Sequence, residues 1–333
     1  MRAIQLREYV QSPAQLRVST LPDPVPQPDE YLIQVHAAAA NFFDILQVQG
    51  KYQTQPPFPW IAGAEFAGTV VAAPANAKYS PGTRVFGASQ GAFATMVCAK
   101  EATLLPVPQG WSFAEAAGLF VTAPTSYAAL VVRAAIKAGD IVLVHAAAGG
   151  VGLAAVQVAK AFGATVIATA STQHKLDIAK AYGADHTVRY DQPDWPSQVK
   201  ALTPRGRGVD IVYDPVGLVD ASTKCVAWNA RILVVGFAAG AIERLALNKV
   251  LLKNISVVGI FWGAYAVREP QTVPLVWKAI MQLVAQGKLK GTVYSDAHFV
   301  GLESVSDALV ALGGRGTWGK VVVEIPQQGA TKL

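Results

Sequence analysis

The chain has 333 residues, of which 52% are hydrophobic and 15% are charged, so it is too apolar for general disorder and long enough for two buried cores. The net charge is +6, but no run of five basic residues occurs, which argues against a nucleic-acid-binding arm. No apolar run approaches the ~20 residues of a membrane span and no signal-peptide core follows Met1, so we expect a cytoplasmic protein without membrane attachment.

The first 122 residues are predicted to be rich in short strands. Strand-like segments at Tyr31–Ala37, Ala67–Ala72 and Ala92–Ala99 alternate with turns that contain proline and glycine. A helical segment, Phe113–Val132, follows and is expected to be interrupted around Pro124. This part of the chain therefore predicts a β-rich domain that leads into a helix.

A regular alternation of strands and helices begins at Asp140. It predicts helices at 150–162, 172–182 and 194–202, and strands at 141–145, 165–170, 186–190, 209–213, 231–236 and Ile255–Phe261. Such alternation is typical of an α/β fold with a doubly wound parallel sheet, here of six strands. Two helices, Val273–Gln286 and Glu303–Leu312, and a final strand, Lys320–Ile325, complete the chain. We predict one domain from residues 1–122 and 265–333 and a second from residues 123–264.

The turn after the first of these strands has the spacing Ala146-x-x-Gly149-x-x-Gly152. A strand precedes it, a helix follows it, and a second strand comes next, which is the context that a dinucleotide-binding fingerprint requires. Small residues let the backbone approach a pyrophosphate, which the N–H groups at the start of the helix can then bind. Gly150 and Val151 lie in that first turn. The fingerprint therefore indicates a nucleotide cofactor.

The chain resembles the medium-chain dehydrogenase/reductase superfamily, in particular its zinc-independent quinone oxidoreductase, or zeta-crystallin-like, branch. The block Gly139–Lys160 matches the branch signature throughout, and shorter blocks match along most of the chain: Asn41-Phe42-Phe43-Asp44, Gly63-x-Glu65-x-x-Gly68, Pro81-Gly82-x-Arg84-Val85, Asp210-x-x-Tyr213-Asp214 and Gly236-Phe237. The resemblance implies a GroES-like catalytic domain, a Rossmann domain, NADPH as cofactor, hydride transfer to quinones or related conjugated carbonyls, and a homodimer.

The zinc ligands of the related alcohol dehydrogenases have no counterpart here. In that class a cysteine stands at the position of Asn41, a histidine at that of Ala64, and a third ligand near Val121. Asparagine, alanine and valine do not supply the thiolate or imidazole that zinc prefers. We therefore expect no metal, and chemistry that proceeds without one.

The end of the second Rossmann strand favours NADPH over NADH. NAD-selective domains place an acid there for the ribose 2′-hydroxyl, whereas this strand ends Ala170-Ser171-Thr172, and the next acid is Asp177. Ser171 offers a hydroxyl and Lys175 a positive charge. By the resemblance, Tyr190 and Arg315 also contact the 2′-phosphate. Lys175 also fits an ordinary solvated helix position, and Arg315 an ordinary position in the turn Gly313-Gly314-Arg315-Gly316.

The resemblance places Asn41 and Tyr52 on the substrate side of the active site. Tyr52 is a candidate proton donor or only a wall of the pocket, and Asn41 orients either the cofactor carboxamide or the substrate. Further nicotinamide-pocket positions are Thr125, Phe237, Phe261, Trp262 and Gly263. Leu46 and Val48 stand where several relatives have an aromatic residue and an arginine, which indicates an apolar acceptor.

Two other functions remain compatible with the sequence. One is an enoyl or enone reductase that acts on a carbon–carbon double bond with NADPH. The other is a protein that binds NADPH without catalysis, such as a crystallin or a sensor. Turnover assays separate the three.

Overall fold

The computed structural model describes residues 1–240 and 242–327 and divides the chain into two compact units. Unit 1 contains Met1–Val121 and the chain from Gly291 onward, and unit 2 is Thr122–Lys290. The predicted domain boundaries were after residues 122 and 264, so the second break lies later than expected. Helix 272–285 packs within unit 2, and the Lys290 N–H donates to the Gln157 side chain at 2.7 Å, which keeps this segment with unit 2.

The strands of the described residues, in chain order, are β1 (Arg2–Leu6), β2 (Val18–Thr20), β3 (Glu30–Ala39), β4 (Trp60–Ile61), β5 (Glu65–Ala72), β6 (Arg84–Ala88), β7 (Met96–Lys100), β8 (Leu104–Pro106), β9 (Ile141–Val144), β10 (Thr165–Ala170), β11 (His186–Arg189), β12 (Val209–Asp214), β13 (Val226–Val234), β14 (Ser256–Gly259), β15 (Phe299–Val300) and β16 (Val322–Glu324).

The α-helices are α1 (Phe42–Val48), α2 (Phe113–Ala117), α3 (Thr122–Tyr127), α4 (Gly150–Ala161), α5 (Gln173–Ala181), α6 (Trp195–Ala201), α7 (Val219–Ser222), α8 (Leu247–Lys253), α9 (Tyr265–Arg268), α10 (Thr272–Ala285) and α11 (Val305–Gly313). A π-helical segment, Ala128–Arg133, continues α3. None of the helices in the described ranges is long and apolar enough to cross a membrane.

Unit 1 is built on an antiparallel arrangement around β3. A larger sheet has the order β15-β16-β3-β5-β6-β8, with β7 also paired to β3. Among its strands in the described ranges, β15 and β16 are the one parallel pair. A smaller sheet has the order β2-β1-β4. Alternate residues of β3, such as Tyr31 and Ile33, are fully buried in the core of this unit, as expected for a strand that packs one face inward.

Unit 2 contains the predicted six-stranded parallel sheet, in the order β11-β10-β9-β12-β13-β14. All four residues of the central strand β9 are buried, as expected for a parallel sheet covered on both faces. The α/β fold class is therefore confirmed, and the predicted strand 165–170 coincides with β10.

The interruption between the helices of residues 113–133 lies at Gly118–Val121, and not at Pro124 as predicted. Pro124 stands in the first turn of α3, where a backbone N–H would have no helical partner, so the helix tolerates it. Of the predicted strand Ala92–Ala99, only the part from Met96 belongs to β7.

Candidate functional site

The carboxyl edge of the parallel sheet collects the predicted cofactor residues of unit 2. Because all six strands run parallel, the loops that follow them emerge at the same edge. The loop after β9 carries Ala146, the loop after β10 carries Ser171, and the loop after β11 carries Tyr190. Phe237 and Phe261 lie in the loops after β13 and β14. Thr125 lies half-buried in α3. This edge is where ligands bind in open α/β sheets.

The fingerprint turn is tightly packed under the start of α4. Ala146 has a left-handed φ of 45° and Gly149 is the N-cap of α4. A Cβ atom at Gly152 would lie 2.3 Å from the Ala146 carbonyl oxygen and 2.8 Å from Ala147. Only glycine fits there, so the sequence spacing translates into a close approach between the turn and the helix.

A hydroxyl pair that the sequence analysis did not identify holds the first turn of α4. The Ser126 hydroxyl donates to the Val151 carbonyl at 2.8 Å, so the Tyr213 hydroxyl, 2.9 Å away, donates to Ser126. Both side chains are fully buried, and burial raises the pKa of Tyr213. The contact ties α3 and β12 to the turn that carries Gly150 and Val151. The sequence analysis named Tyr213 only within the block Asp210-x-x-Tyr213-Asp214 that matches the family, and gave it no role.

His145, the residue before the fingerprint, is a buried structural side chain. The Ser222 hydroxyl donates a hydrogen bond to the Leu218 carbonyl at 2.7 Å. Because its one hydrogen is used there, the Ser222 oxygen accepts a hydrogen bond from the His145 Nε2–H at 2.8 Å. The Thr169 hydroxyl then donates to Nδ1 at 2.7 Å. Burial lowers the pKa of His145 to about 4, against a smaller opposing effect of Asp214. The imidazole is therefore neutral at physiological pH.

This environment predicts a loss of stability in mild acid. Above the ordinary pKa of 6.5 both the folded and the unfolded histidine are neutral; below it only the unfolded chain takes up the proton, until the pH reaches about 4. We expect His145 to account for a fall of about 2 kcal/mol in the unfolding free energy between pH 7 and pH 5, measured by denaturant titration.

The contribution of His145 is isolated by comparing the wild type with His145→Gln, which is expected to lose that part of the pH dependence. The exposed His298 provides the matched control, because His298→Gln should retain it. An equal pH dependence in wild type and His145→Gln would show that His145 is not held neutral.

The loop after β10 carries Ser171 and leads into the first turn of α5, which contains Lys175. The Thr172 hydroxyl oxygen accepts a hydrogen bond from the Lys175 N–H at 3.3 Å and so forms the N-cap of α5. The first turn of α5 contains no acidic residue. Lys175 is half-buried, which lowers its pKa. The structure thus places a lysine and a helix start beside Ser171.

The predicted nicotinamide-pocket aromatics are largely exposed in the described chain. Phe261 is 62% exposed and Phe237 is 41% exposed, whereas Trp262 packs on Tyr265 with ring centroids 5.0 Å apart. Gly263 lies in the same short helical turn as Trp262. Arg315 belongs to unit 1, where it is exposed with a φ of 56° in the turn after α11.

Asn41 lies in a buried cluster of charged groups in unit 1. Its Nδ2 donates to Glu65 Oε1 at 2.9 Å, and its Oδ1 accepts from Lys320 Nζ at 2.8 Å. Lys320 also forms an ion pair with Glu65. The other oxygen of Glu65 accepts the Val121 N–H at 3.0 Å. The asparagine amide is therefore fixed by a carboxylate on one side and an ammonium on the other.

Asp44 and Tyr52 lie near this cluster. Asp44 is fully buried in α1, where one carboxyl oxygen accepts the Asn41 N–H at 2.7 Å and the other has no partner among the described residues. Burial raises the pKa of Asp44 to about 7. The half-buried Tyr52 stacks on Phe43 at 5.4 Å, and burial together with Asp44 raises its pKa. Tyr52 is therefore protonated at neutral pH.

Of the positions that carry zinc ligands in alcohol dehydrogenases, Asn41 contacts Lys320 directly, and Val121 is joined to Lys320 through Glu65. Asn41 and the Val121 N–H both bind Glu65, the neighbour of Ala64, and Lys320 supplies the positive charge. In the described ranges no group of three or more His, Cys, Asp or Glu side chains has the geometry to hold a metal. The residues present do not fit zinc.

Lys320, Glu65 and Asp44 were not predicted as site residues. Lys320 was placed only in a final strand, and it precedes β16. A lysine between Trp318-Gly319 and a run of valines is the sequence signal that could have identified it, because lysine is seldom buried without a partner.

Comparison with known proteins identifies the family. Residues 27–109 match the family described as alcohol dehydrogenase GroES-like domain, and residues 150–284 match the one described as zinc-binding dehydrogenase. Human quinone oxidoreductase is 30% identical over 330 residues, which cover 97% of each chain. The quinone oxidoreductase-like protein 2 homologue of Nematostella vectensis is 38% identical over 301 residues, 89% of this chain and 81% of that protein.

Solved structures agree with this assignment. Escherichia coli quinone oxidoreductase, solved in complex with NADPH, has a TM-score of 0.86 at 27% identity and covers 97% of this chain and 100% of its own. The CurK enoyl reductase has a TM-score of 0.86 at 26% identity, and the match covers 98% of this chain and 99% of that protein. Together with the parallel sheet and the fingerprint turn, these matches show that the chain belongs to the quinone oxidoreductase branch of the medium-chain dehydrogenase/reductase superfamily.

Proposed function

We propose that this protein is an NADPH-dependent reductase that transfers hydride to a quinone or another conjugated carbonyl without zinc. The observation that carries the proposal is the fingerprint turn under α4, in which Gly152 leaves no space for a side chain. The carboxyl edge of the sheet would hold the cofactor through Gly149, Gly150 and Val151. When bound, the reduced nicotinamide supplies the hydride.

The acceptor needs a hydrogen-bond donor on the oxygen where negative charge develops, and finally a proton. Tyr52 is the residue of unit 1 that we assign to this task, because its hydroxyl remains protonated and makes no hydrogen bond among the described residues. A simple ketone, by contrast, lacks an activated carbon, and its alkoxide would need a Lewis acid or a strong acid. Electron-poor conjugated acceptors are therefore the expected substrates.

The direct test is NADPH consumption against a panel of quinones, enals and enones, with ethanol oxidation as the negative control. Reduction of at least one conjugated acceptor is expected. Efficient ethanol oxidation without turnover of any quinone or enone would overturn the assignment. The match to the CurK enoyl reductase favours a carbon–carbon double bond as the second candidate target, and product analysis distinguishes the two. NADPH binding without any turnover would support a non-catalytic protein.

The absence of zinc is proposed from the side chains at positions 41, 64 and 121, none of which is a good zinc ligand. Elemental analysis of active protein should find no stoichiometric zinc, and a chelator should leave the rate unchanged. Chelator inactivation that added zinc reverses would contradict the proposal.

The preference for NADPH is assigned to Lys175. A charged hydrogen bond to the 2′-phosphate contributes about 1.5–3 kcal/mol, or about 10- to 100-fold in affinity. Lys175→Ala should weaken NADPH binding by that factor and leave NADH binding nearly unchanged, as measured by titration of cofactor fluorescence.

Lys180 in the last turn of α5 provides the matched control for this experiment, because it is an exposed lysine of the same helix. Lys180→Ala should bind both cofactors as the wild type does. Equal losses for NADPH and NADH in Lys175→Ala would show that Lys175 does not contact the phosphate.

We also propose a homodimer, formed at the β14 edge of unit 2. Among the strands of residues 1–240 and 242–327, β14 pairs with β13 alone, and on the nearby α8 Leu247 and Leu251 are 78% and 77% exposed. An open sheet edge beside exposed leucines is suited to pairing with a second copy. Light scattering should give twice the chain mass, and Leu251→Lys should shift it toward the monomer; a monomeric wild type would exclude this assembly.

A further inference from the structure

Lys320 is a buried cation at the centre of unit 1. It is 4% exposed and is the only buried lysine in the described part of the chain. Its ammonium donates to the Ala40 carbonyl at 3.0 Å and to Asn41 Oδ1 at 2.8 Å, and it forms an ion pair with Glu65. Three donors meet three acceptors, so the full hydrogen-bonding capacity of the ammonium is used.

The backbone around Lys320 is built to place this side chain. Gly319 has a φ of 55°, and a Cβ atom there would lie 2.0 Å from the Thr292 carbonyl oxygen. The Lys320 N–H donates to that same oxygen at 2.7 Å. A Cβ atom at Gly118 would lie 2.9 Å from Lys320 Cβ, so the absence of a side chain at Gly118 leaves room for the lysine stem.

Lys320 supplies the positive charge that compensates Glu65 in this cluster. Glu65 is fully buried and Asp44 is fully buried beside it, so without the ammonium the pocket would hold carboxyl groups alone. Burying an unpaired charge is costly, whereas a paired and hydrogen-bonded one is tolerated. Lys320 is therefore the charge partner of Glu65 beside Asn41.

The same contacts fix the Asn41 amide in one orientation. An ammonium must face the amide oxygen and a carboxylate must face the amide nitrogen, so the side chain cannot flip. With Oδ1 bound by Lys320 and one N–H bound by Glu65, the second N–H has only a long contact of 3.5 Å to the Ala39 carbonyl. That N–H is the donor that the amide can still offer to another oxygen.

We propose that Lys320 is a positioning residue, which locks and polarises the Asn41 amide so that its second N–H donates to the acceptor oxygen on which negative charge develops. This inference rests on the proposed function. An ammonium bound to the amide oxygen withdraws electron density and strengthens the N–H as a donor. Preorganised donors of this kind stabilise developing charge because they need no reorientation during the reaction.

The test compares Glu65→Gln with Glu65→Gln/Lys320→Met, because these two variants differ only at Lys320. The Glu65→Gln background avoids the unpaired buried carboxylate that Lys320→Met alone would leave. In Glu65→Gln the Lys320 ammonium keeps the Ala40 carbonyl and Asn41 Oδ1 as acceptors, and the Asp44 carboxyl remains near it. We expect kcat for a quinone or enone to be about 10²-fold lower in the double variant than in Glu65→Gln, with KM for NADPH unchanged. Lys100→Met, which removes an exposed lysine of the same unit, is the control and should behave as the wild type.

Asn41→Ala added to each background separates positioning from a general structural role. In Glu65→Gln the alanine should cost about 10²–10³ in kcat. In the double variant it should cost little more, since the amide there is no longer oriented. Equal kcat values for the two backgrounds, or the same Asn41→Ala loss in both, would overturn the proposal.

A readout without turnover keeps this inference separate from the proposed function. The side-chain amide proton of Asn41 that faces position 65, assigned by its loss in Asn41→Ala, should be protected from exchange in ¹⁵N-labelled Glu65→Gln and become exchangeable in the double variant. If the wild type reduces no conjugated acceptor, the proposed function and the catalytic part of this inference both fail. Unchanged amide protection in the double variant would overturn the positioning itself.

Discussion

Replacing Tyr52 by phenylalanine should lower the rate of acceptor reduction by roughly 10²–10³, the usual effect of losing one donor to a developing oxyanion. The substitution removes the hydroxyl and keeps the ring, whose stacking on Phe43 at 5.4 Å is thereby preserved. Burial and the neighbouring Asp44 raise the pKa of Tyr52, so the hydroxyl carries the proton that a donor must have. The measurement is kcat for the best acceptor at saturating NADPH.

The cofactor affinity of Tyr52→Phe should equal that of the wild type, because the hydroxyl is assigned to the acceptor and not to NADPH. Tyr9→Phe is the control, since Tyr9 is an exposed tyrosine of the same unit that packs edge-to-face against Phe58. A small loss of rate in Tyr52→Phe would mean that Tyr52 only forms a wall of the pocket, and the proton donor would then have to be sought elsewhere.

Gly152→Ala should both destabilise the protein and weaken its binding of NADPH. The added methyl group would lie 2.3 Å from the Ala146 carbonyl oxygen, so α4 must move away from the turn. Overpacking of this kind costs about 1–3 kcal/mol, measurable as a lower unfolding free energy. Displacing the N–H groups of the first turn should remove at least one charge-assisted bond to the pyrophosphate, or about 10- to 100-fold in NADPH affinity.

Gly149→Ala is the matched control for stability within the same turn. Gly149 has a φ of −75°, which any residue adopts, and the nearest atom to its added Cβ would lie 3.3 Å away. Because alanine is a poorer N-cap than glycine and the 3.3 Å contact is tight, the unfolding free energy of this variant should fall, but by no more than about 1 kcal/mol and by less than that of Gly152→Ala. If Gly152→Ala proved as stable as Gly149→Ala, the close packing of α4 on the turn would be contradicted.

The parallel sheet of unit 2 could be predicted because each of its strands and helices is specified by a short continuous stretch of sequence. A buried parallel strand appears in the sequence as a short apolar run, and the helix between two strands as a longer one, so β10 was identified to the residue. Smaller elements such as α7 and α9, four residues each, were not predicted, because four residues span little more than one helical turn and give no periodic signal.

The second boundary between the units was not predictable in the same way. The chain from 265 to 290 is an ordinary amphipathic segment, and its membership of unit 2 depends on α10 packing near α3 and on the Lys290–Gln157 contact. These partners are far apart in sequence, and no composition change marks the break after Lys290.

By itself the sequence determined the fold class and the fingerprint turn, because both follow from residue types at short, fixed spacings. The expectation of no zinc at Asn41, Ala64 and Val121 came from the family resemblance. Only the tertiary structure revealed the cluster in which Lys320 meets Glu65 and Asn41. Those residues are separated by up to 279 positions, and they come together because β16 pairs with β3. A buried charge is stable only beside its partner, and the partner is chosen by strand pairing and not by neighbouring sequence.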